Sequence, residues 1–217
     1  MDELSGPEPD GSQPEAPVPA AVGPPRRSHP PISRLLLEWT VTLALSAGLV
    51  LGLRAEVASP YRIPSSSMEP TLHCAKPVVG CEASHSDRVL VNRLAYRYGS
   101  PARGQIVVFK APSEAAIVCG EGGIYVKRLV GLPGELVAEY QGQVYINGRH
   151  LSEPYIKTSE RDAQTHTWPR LGPGQYFMMG DNRSDSCDSR LWGPVARSAL
   201  VGPVFATYWP LDRLSWH

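Results

Sequence analysis

One uninterrupted apolar run dominates the pattern of hydrophobic and polar positions. Leu35 to Leu53 reads LLLEWTVTLALSAGLVLGL and is bounded by Arg34 and Arg54. As a helix its 19 residues span about 28 Å, close to the hydrocarbon thickness of a bilayer. Glu38 falls in the first turn, where a carboxylate reaches the interface at reduced cost, and Trp39 suits the same boundary. A soluble core helix rarely lacks a polar face for so long. The Ala55-Glu56-Val57-Ala58 stretch that follows offers a poor small-x-small cleavage site, so a retained membrane anchor over residues 32–54 is expected rather than a cleaved leader.

Beyond the anchor the pattern changes to short β-type segments. Arg88 to Leu94 and Gln105 to Phe109 are β-branched and apolar, separated by a break at Gly99-Ser100-Pro101. Tyr125 to Val130 forms the next strand and stops at Gly131-Leu132-Pro133-Gly134. Val144-Tyr145-Ile146 followed by Asn147-Gly148 predicts a hairpin with a type I′ turn. Gln175 to Met179 and Val201 to Trp209 complete the set. A mainly β domain with irregular loops is expected over residues 55–217.

Composition alters this picture in three places. Residues 1–31 hold nine prolines and almost no bulky apolar side chains, so they read as a disordered tail. The 21 basic and 21 acidic residues balance, which suggests no nucleic-acid surface. Cys74, Cys81, Cys119 and Cys187 all follow the anchor, as disulfides in an oxidising compartment would. They contain no Cys-x-x-Cys pair and no His at ligand spacing, so no metal or other cofactor is expected. Three arginines precede the apolar run (Arg26, Arg27, Arg34) and two follow it (Arg54, Arg62). With the cysteines, this bias places the tail in the cytoplasm and the β domain outside the cytoplasmic membrane.

Candidate chemistry begins at Ser67, in a proline-bounded turn about a dozen residues beyond the anchor. A hydroxyl attacks an amide poorly unless a base takes its proton. Lys127 lies on an apolar strand beside Val126, Leu129 and Val130. An unperturbed lysine leaves roughly one molecule in a few thousand neutral at pH 7. Apolar burial disfavours the ammonium, and a pKa near 8 would correspond to roughly 3 kcal/mol. Taken alone, Lys127 reads more readily as a charged strand-edge lysine, and Ser67 as ordinary turn chemistry.

Four ordered segments change the weighing. They are Pro64-Ser65-Ser66-Ser67-Met68-Glu69-Pro70-Thr71-Leu72, residues 103–109 (RGQIVVF), residues 125–135 (YVKRLVGLPGE) and residues 180–190 (GDNRSDSCDSR). In this order they resemble the motifs of bacterial type I signal peptidases, or leader peptidases, over the chain from the anchor onward. The resemblance implies a signal-peptidase-type catalytic β domain behind a single transmembrane helix. It implies Ser67 as nucleophile, Lys127 as general base and Ser65 in the oxyanion hole with the Ser67 N–H. Ser186 would orient the lysine, and the pairs Asp181–Arg128 and Asp188–Arg190 would support the site. Met68 would contribute to substrate binding and to a lipid-proximal surface.

The implied activity is removal of signal peptides from exported preproteins. Small residues would stand at the first and third positions before the cut, beside a bilayer and near the secretion translocon. Ser66 departs from a frequent family Gly, and Ser184 falls at a variable position. Cys187 is the unusual neighbour of Ser186, open to roles as an alternative nucleophile, a free thiol or half of a disulfide. Four cysteines permit three pairings; the expected one joins Cys119 to Cys187 and Cys74 to Cys81. The rival readings are a membrane-anchored β interaction domain without catalysis and a self-cleaving repressor-type protease, which would need a DNA-binding domain. A penicillin-binding type needs Lys three residues after the serine, where Pro70 stands.

Overall fold

A single long helix, α1 (Ile32–Val57), carries the apolar run. The computed structural model describes residues 32–120 and 122–217, so the proline-rich tail expected at 1–31 lies outside the described residues. The span Ile32–Val50 has a mean hydropathy of 1.3, and none of it is buried within the protein. By length and composition it can cross a membrane.

The β body is built from twelve strands: β1 (Ala58–Arg62), β2 (Arg88–Asn92), β3 (Ile106–Lys110), β4 (Ile124–Gly131), β5 (Val137–Tyr140), β6 (Gln143–Ile146), β7 (Arg149–His150), β8 (His166–Thr167), β9 (Gln175–Met179), β10 (Val195–Ala196), β11 (Leu200–Trp209) and β12 (Ser215–Trp216). Short helices α2 (Ala95–Tyr98), α3 (Ser113–Cys119) and α4 (Ser189–Trp192) decorate them. The larger sheet runs β1-β2-β11-β3-β4-β9-β10, with β12 on β11, and the smaller runs β7-β6-β5-β8. Among the described residues every pairing between these strands is antiparallel. The mainly β expectation therefore holds.

The expected strands appear where β-branched residues cluster, because such side chains pack well on a half-buried pleated surface. β3 is fully buried from Ile106 to Phe109, and β4 is buried from Lys127 to Gly131. The expected hairpin is also present. Ile146 faces Arg149 across Asn147 and Gly148, whose φ values of 51° and 80° are those of a type I′ turn. The strands β1, β5, β8, β10 and β12 and the short helices α2, α3 and α4 were not anticipated. β1 contains Pro60 and stands at the end of the sheet order, the position that tolerates a missing N–H.

The core divides into three apolar clusters. Ile63, Met68, Leu72, Val89 and Val91 fill one, Phe109, Leu129, Met178 and Trp192 the second, and Val130, Val137, Trp168 and Phe177 the third. Strands β3 and β4 contribute to more than one of them. A side chain on β4 is accordingly held in a well-packed frame.

Candidate active site

The turn after β1 brings Ser66, Ser67 and Met68 into one 3-10 turn, all three buried. Asn182 fastens this turn from the distant 180–190 loop: its N–H donates to the Ser67 carbonyl at 3.2 Å and its Nδ2 to the Ser66 carbonyl at 3.4 Å. Gly180 lies so close that a Cβ there would collide with the Ser67 carbonyl and the Ser186 side chain. Glycine is what allows the two segments to meet.

Lys127 enters from β4, registered against Val107 of β3. Its side chain is 4% exposed, and Nζ lies 2.5 Å from Ser67 Oγ. Burial pushes its pKa down to about 8; Asp188 opposes the shift, Arg190 adds to it, and Asp181 and Asp185 oppose it. Ser65 Oγ sits 3.3 Å from Ser67 Oγ. The sequence thus picked out residues that the fold brings together from positions sixty apart.

The four charged residues expected to support the site form two buried pairs. Arg128 donates to Asp181 through Nε at 2.8 Å and Nη2 at 2.6 Å, while its Nη1 donates to the Gly104 carbonyl. Arg190 grips Asp188 through Nε and Nη2, both at 2.9 Å. Burial alone would raise the Asp188 carboxyl, but the Arg190 hydrogen bonds and charge, with Lys127, hold it below its ordinary value. Ser186 Oγ donates to Asp188 Oδ2 at 2.7 Å, so its hydroxyl is tied to the carboxylate that most strongly favours the Lys127 ammonium.

Disulfides join Cys74 to Cys81 and Cys119 to Cys187. The second links the end of α3 to the loop carrying Ser186 and borders the same cleft as Ser67. With Cys187 paired, its readings as a free thiol or alternative nucleophile fall away. The expectation for Met68 at a lipid-proximal surface is corrected. Its side chain is 1% exposed and belongs to the core cluster of Ile63 and Leu72, although it borders the cleft from below. An exposed thioether there would leave that cluster unfilled.

Several contacts escaped the sequence reading. Ser66 Oγ donates to Asp185 Oδ2 at 2.5 Å, so the residue standing where glycine is frequent ties the turn to the 180–190 loop. Arg183 is buried against Glu153, which lies in no motif. Glu69, His73 and Glu82 bring potential metal-ligand atoms within 4.8 Å, a grouping that the search for histidine spacing overlooked. Their atoms already have partners: Glu69 Oε1 accepts the N–H groups of Cys74 and Glu82, Glu69 Oε2 meets His73 Nδ1, and the Glu82 carboxylate pairs with Lys157. The Glu69-to-His73 spacing of four residues was the available signal.

The cleft is open and holds about 500 Å³. Its walls are the Tyr61–Met68 segment and the Ile124–Lys127 stretch of β4, with Asp185 and Cys187 at the rim. The Ser67 hydroxyl, held against the buried Lys127 amine, lines this groove.

Comparison with known proteins identifies the family. Residues 36–209 match the family described as signal peptidase, peptidase S26. The chain belongs to this family of serine peptidases. It is 39% identical over 194 residues to a signal peptidase I of Leptolyngbya laminosa, covering 88% of each chain. It is 36% identical over 189 residues to a probable signal peptidase I-2 of Synechocystis, covering 87% of this chain and 80% of that one. A crystal structure of a signal peptidase I from Enterococcus faecalis is 34% identical, with a TM-score of 0.40, over 48% of this chain and 96% of that chain.

Proposed function

We propose that this peptidase cuts signal peptides from preproteins by a Ser–Lys mechanism, with Ser67 as nucleophile and Lys127 as general base. The observation carrying this reading is the 2.5 Å approach of Lys127 Nζ to Ser67 Oγ by an amine that burial has moved towards neutrality. In its neutral form the amine accepts the Ser67 proton as Oγ attacks the scissile carbonyl. The tetrahedral intermediate then collapses, and the new ammonium gives the proton to the leaving amine. Water, deprotonated by the same lysine, releases the acyl group from Ser67.

The Ser67 N–H and the Ser65 hydroxyl are the donors assigned to the oxyanion. Such a donor contributes about 3 kcal/mol, because it meets charge that exists only in the transition state. Ser186, Asp188, Arg190, Asp181 and Arg128 hold the base and the turn without touching the substrate. Met68 forms part of the cleft floor against which a substrate side chain would rest. The dyad uses no metal or cofactor.

The substrate is read as an added β-strand. β1 is terminal in its sheet and pairs among the described residues only with β2, so its outer edge has backbone groups to offer along the cleft. Small residues, typically Ala, would occupy the first and third positions before the cut. The helix over residues 32–54 would anchor the enzyme in the cytoplasmic membrane, with residues 1–31 inside and the β domain outside. That arrangement sets the site beside the bilayer and the translocon, where signal peptides emerge. Protease added outside intact spheroplasts tests it: digestion of the β domain supports this topology, and protection of the domain reverses it.

Incubating the detergent-solubilised full chain with a preprotein ending its leader in Ala-x-Ala tests the specificity. Sequencing of the product should find a new N-terminus directly after the second Ala, and replacing that Ala with Trp should block the cut. Cleavage elsewhere, or indifference to the Trp, would overturn the assigned specificity.

A further inference from the structure

The smaller sheet touches none of the reacting groups, yet charged side chains from it and its loops converge behind Asp188. We propose that Asp162, backed by Glu139, is a positioning residue for the reaction, fixing Arg190 and through it the Asp188 carboxylate beside Lys127 and Ser186. This rests on the Ser67–Lys127 reading and extends it to residues outside the family motifs.

The geometry runs outward from the site. Arg190 holds Asp188 through Nε and Nη2, and turns its remaining nitrogen, Nη1, onto Asp162 Oδ2. The Arg190 side chain is almost fully buried, so its orientation is set by these two carboxylates and by the Arg183 carbonyl, which accepts from Nη2 at 2.9 Å. Asp162 is in turn located by the smaller sheet. The Gly142 N–H donates to the Gln164 carbonyl at 3.0 Å, the Gln141 N–H to Thr165 Oγ1 at 3.1 Å, and Arg161 Nη1 to the Gly142 carbonyl at 3.2 Å. The β5–β6 turn therefore grips the segment bearing Asp162 on both sides.

Glu139 completes the arrangement. It points inward from β5, is 2% exposed, and neither carboxylate oxygen has a hydrogen-bond partner among the described residues. An unpaired buried carboxylate is costly, so this group needs a reason to be there. Burial holds its pKa well above the usual carboxylate range, the Asp162 charge adds to this, and Arg190 and Arg183 oppose it. Protonated, it has a hydrogen to offer Asp162; ionised, it adds a negative charge facing Arg190.

The consequence for Lys127 has a definite sign. The charged groups acting on Lys127 are Asp188, Arg190, Asp181 and Asp185. Arg190 disfavours the ammonium, and the negative charges behind it partly cancel its field. Removing one of them exposes more of the guanidinium charge to Lys127, so the amine loses its proton at lower pH.

The test is the pH dependence of kcat/KM for wild type, Asp162→Asn and Glu139→Gln in the detergent-solubilised full chain. Each variant should move the acidic limb about half a pH unit downward. KM should stay unchanged, since neither residue lines the cleft. Asp162→Glu, which restores the charge, should return the limb towards the wild-type position. If the wild-type profile lacks an acidic limb near pH 8, the Ser–Lys reading fails. If that limb is present and a folded variant's profile superimposes on it, only the positioning role is overturned. Loss of folding in both neutral variants would assign the pair to stability alone and equally overturn it.

Discussion

Lys127→Met should abolish preprotein cleavage while making the protein more stable below pH 8. Without a base to take the Ser67 proton, kcat/KM is expected to fall by about 10⁴-fold or more. Ser67→Ala should fall at least as far. The double variant should be no worse than either single one, because nucleophile and base act as a unit. The stability gain follows from the same burial. The ordinary lysine value of 10.5 falls to about 8 in the folded chain. Below pH 8 both folded and unfolded chains carry the ammonium, but the folded chain holds it at a cost of roughly 3 kcal/mol. The cost fades as pH rises from 8 towards 10.5. Met fills similar space without a charge, so thermal unfolding at pH 6 should show a higher midpoint, with the gain shrinking above pH 8. An inactive variant with an unchanged or lower midpoint at pH 6 would mean that the amine is better solvated than its burial indicates.

Glu153→Ala should be the most destabilising single change in the site's support. Arg183 is one of the largest fully buried side chains, and Glu153 meets its guanidinium with both carboxylate oxygens. Arg183 Nε donates to the Gly180 carbonyl at 2.9 Å, which connects the pair to the glycine beneath Ser67 and Ser186. Removing the carboxylate leaves a buried cation uncompensated, a loss of about 3–5 kcal/mol. Domains of this size are stable by about 5–15 kcal/mol in total. Denaturant unfolding of the full chain in detergent measures the loss, and Glu153→Gln, which keeps one acceptor, should lose less. A loss below about 1 kcal/mol would indicate that water reaches the guanidinium, since exposed pairs contribute no more than that.

The strands legible in the sequence were those rich in β-branched and apolar residues, whether buried nearly throughout as β3 is or in alternation as β2 and β6 are. β3 read as a continuous apolar run because Ile106 to Phe109 are buried on both faces, whereas β4 carries Lys127 and Arg128 and is buried only from Lys127 onward. β5 was missed for the opposite reason: Glu139, a polar residue by type, occupies an inward position where the pattern calls for an apolar one. β1 was missed because its sequence, ASPYR, has no alternation and includes a proline.

The site divides in the same way. Ser67, Lys127 and the two acid–base pairs stood out because four motifs resembled those of one family, whereas local physics left a turn serine and a strand lysine open to ordinary readings. Glu153, Asp162 and Glu139 carry no motif. Their partners lie 30, 28 and 23 residues away in the chain, and only the packing of the smaller sheet against the 180–190 loop brings them together. The disulfide pairing belongs here too, since four cysteines leave three choices until the fold places Cys119 beside Cys187.

The central claim is that a buried, neutral Lys127 acts as the base for Ser67, and the pH dependence of kcat/KM for wild-type cleavage tests it most directly. The account predicts that the rate rises with pH through a single ionisation near 8, the value to which burial brings the amine. An acidic limb in the carboxylate range near 4, or in the histidine range near 6.5, would contradict it by assigning proton abstraction to another group.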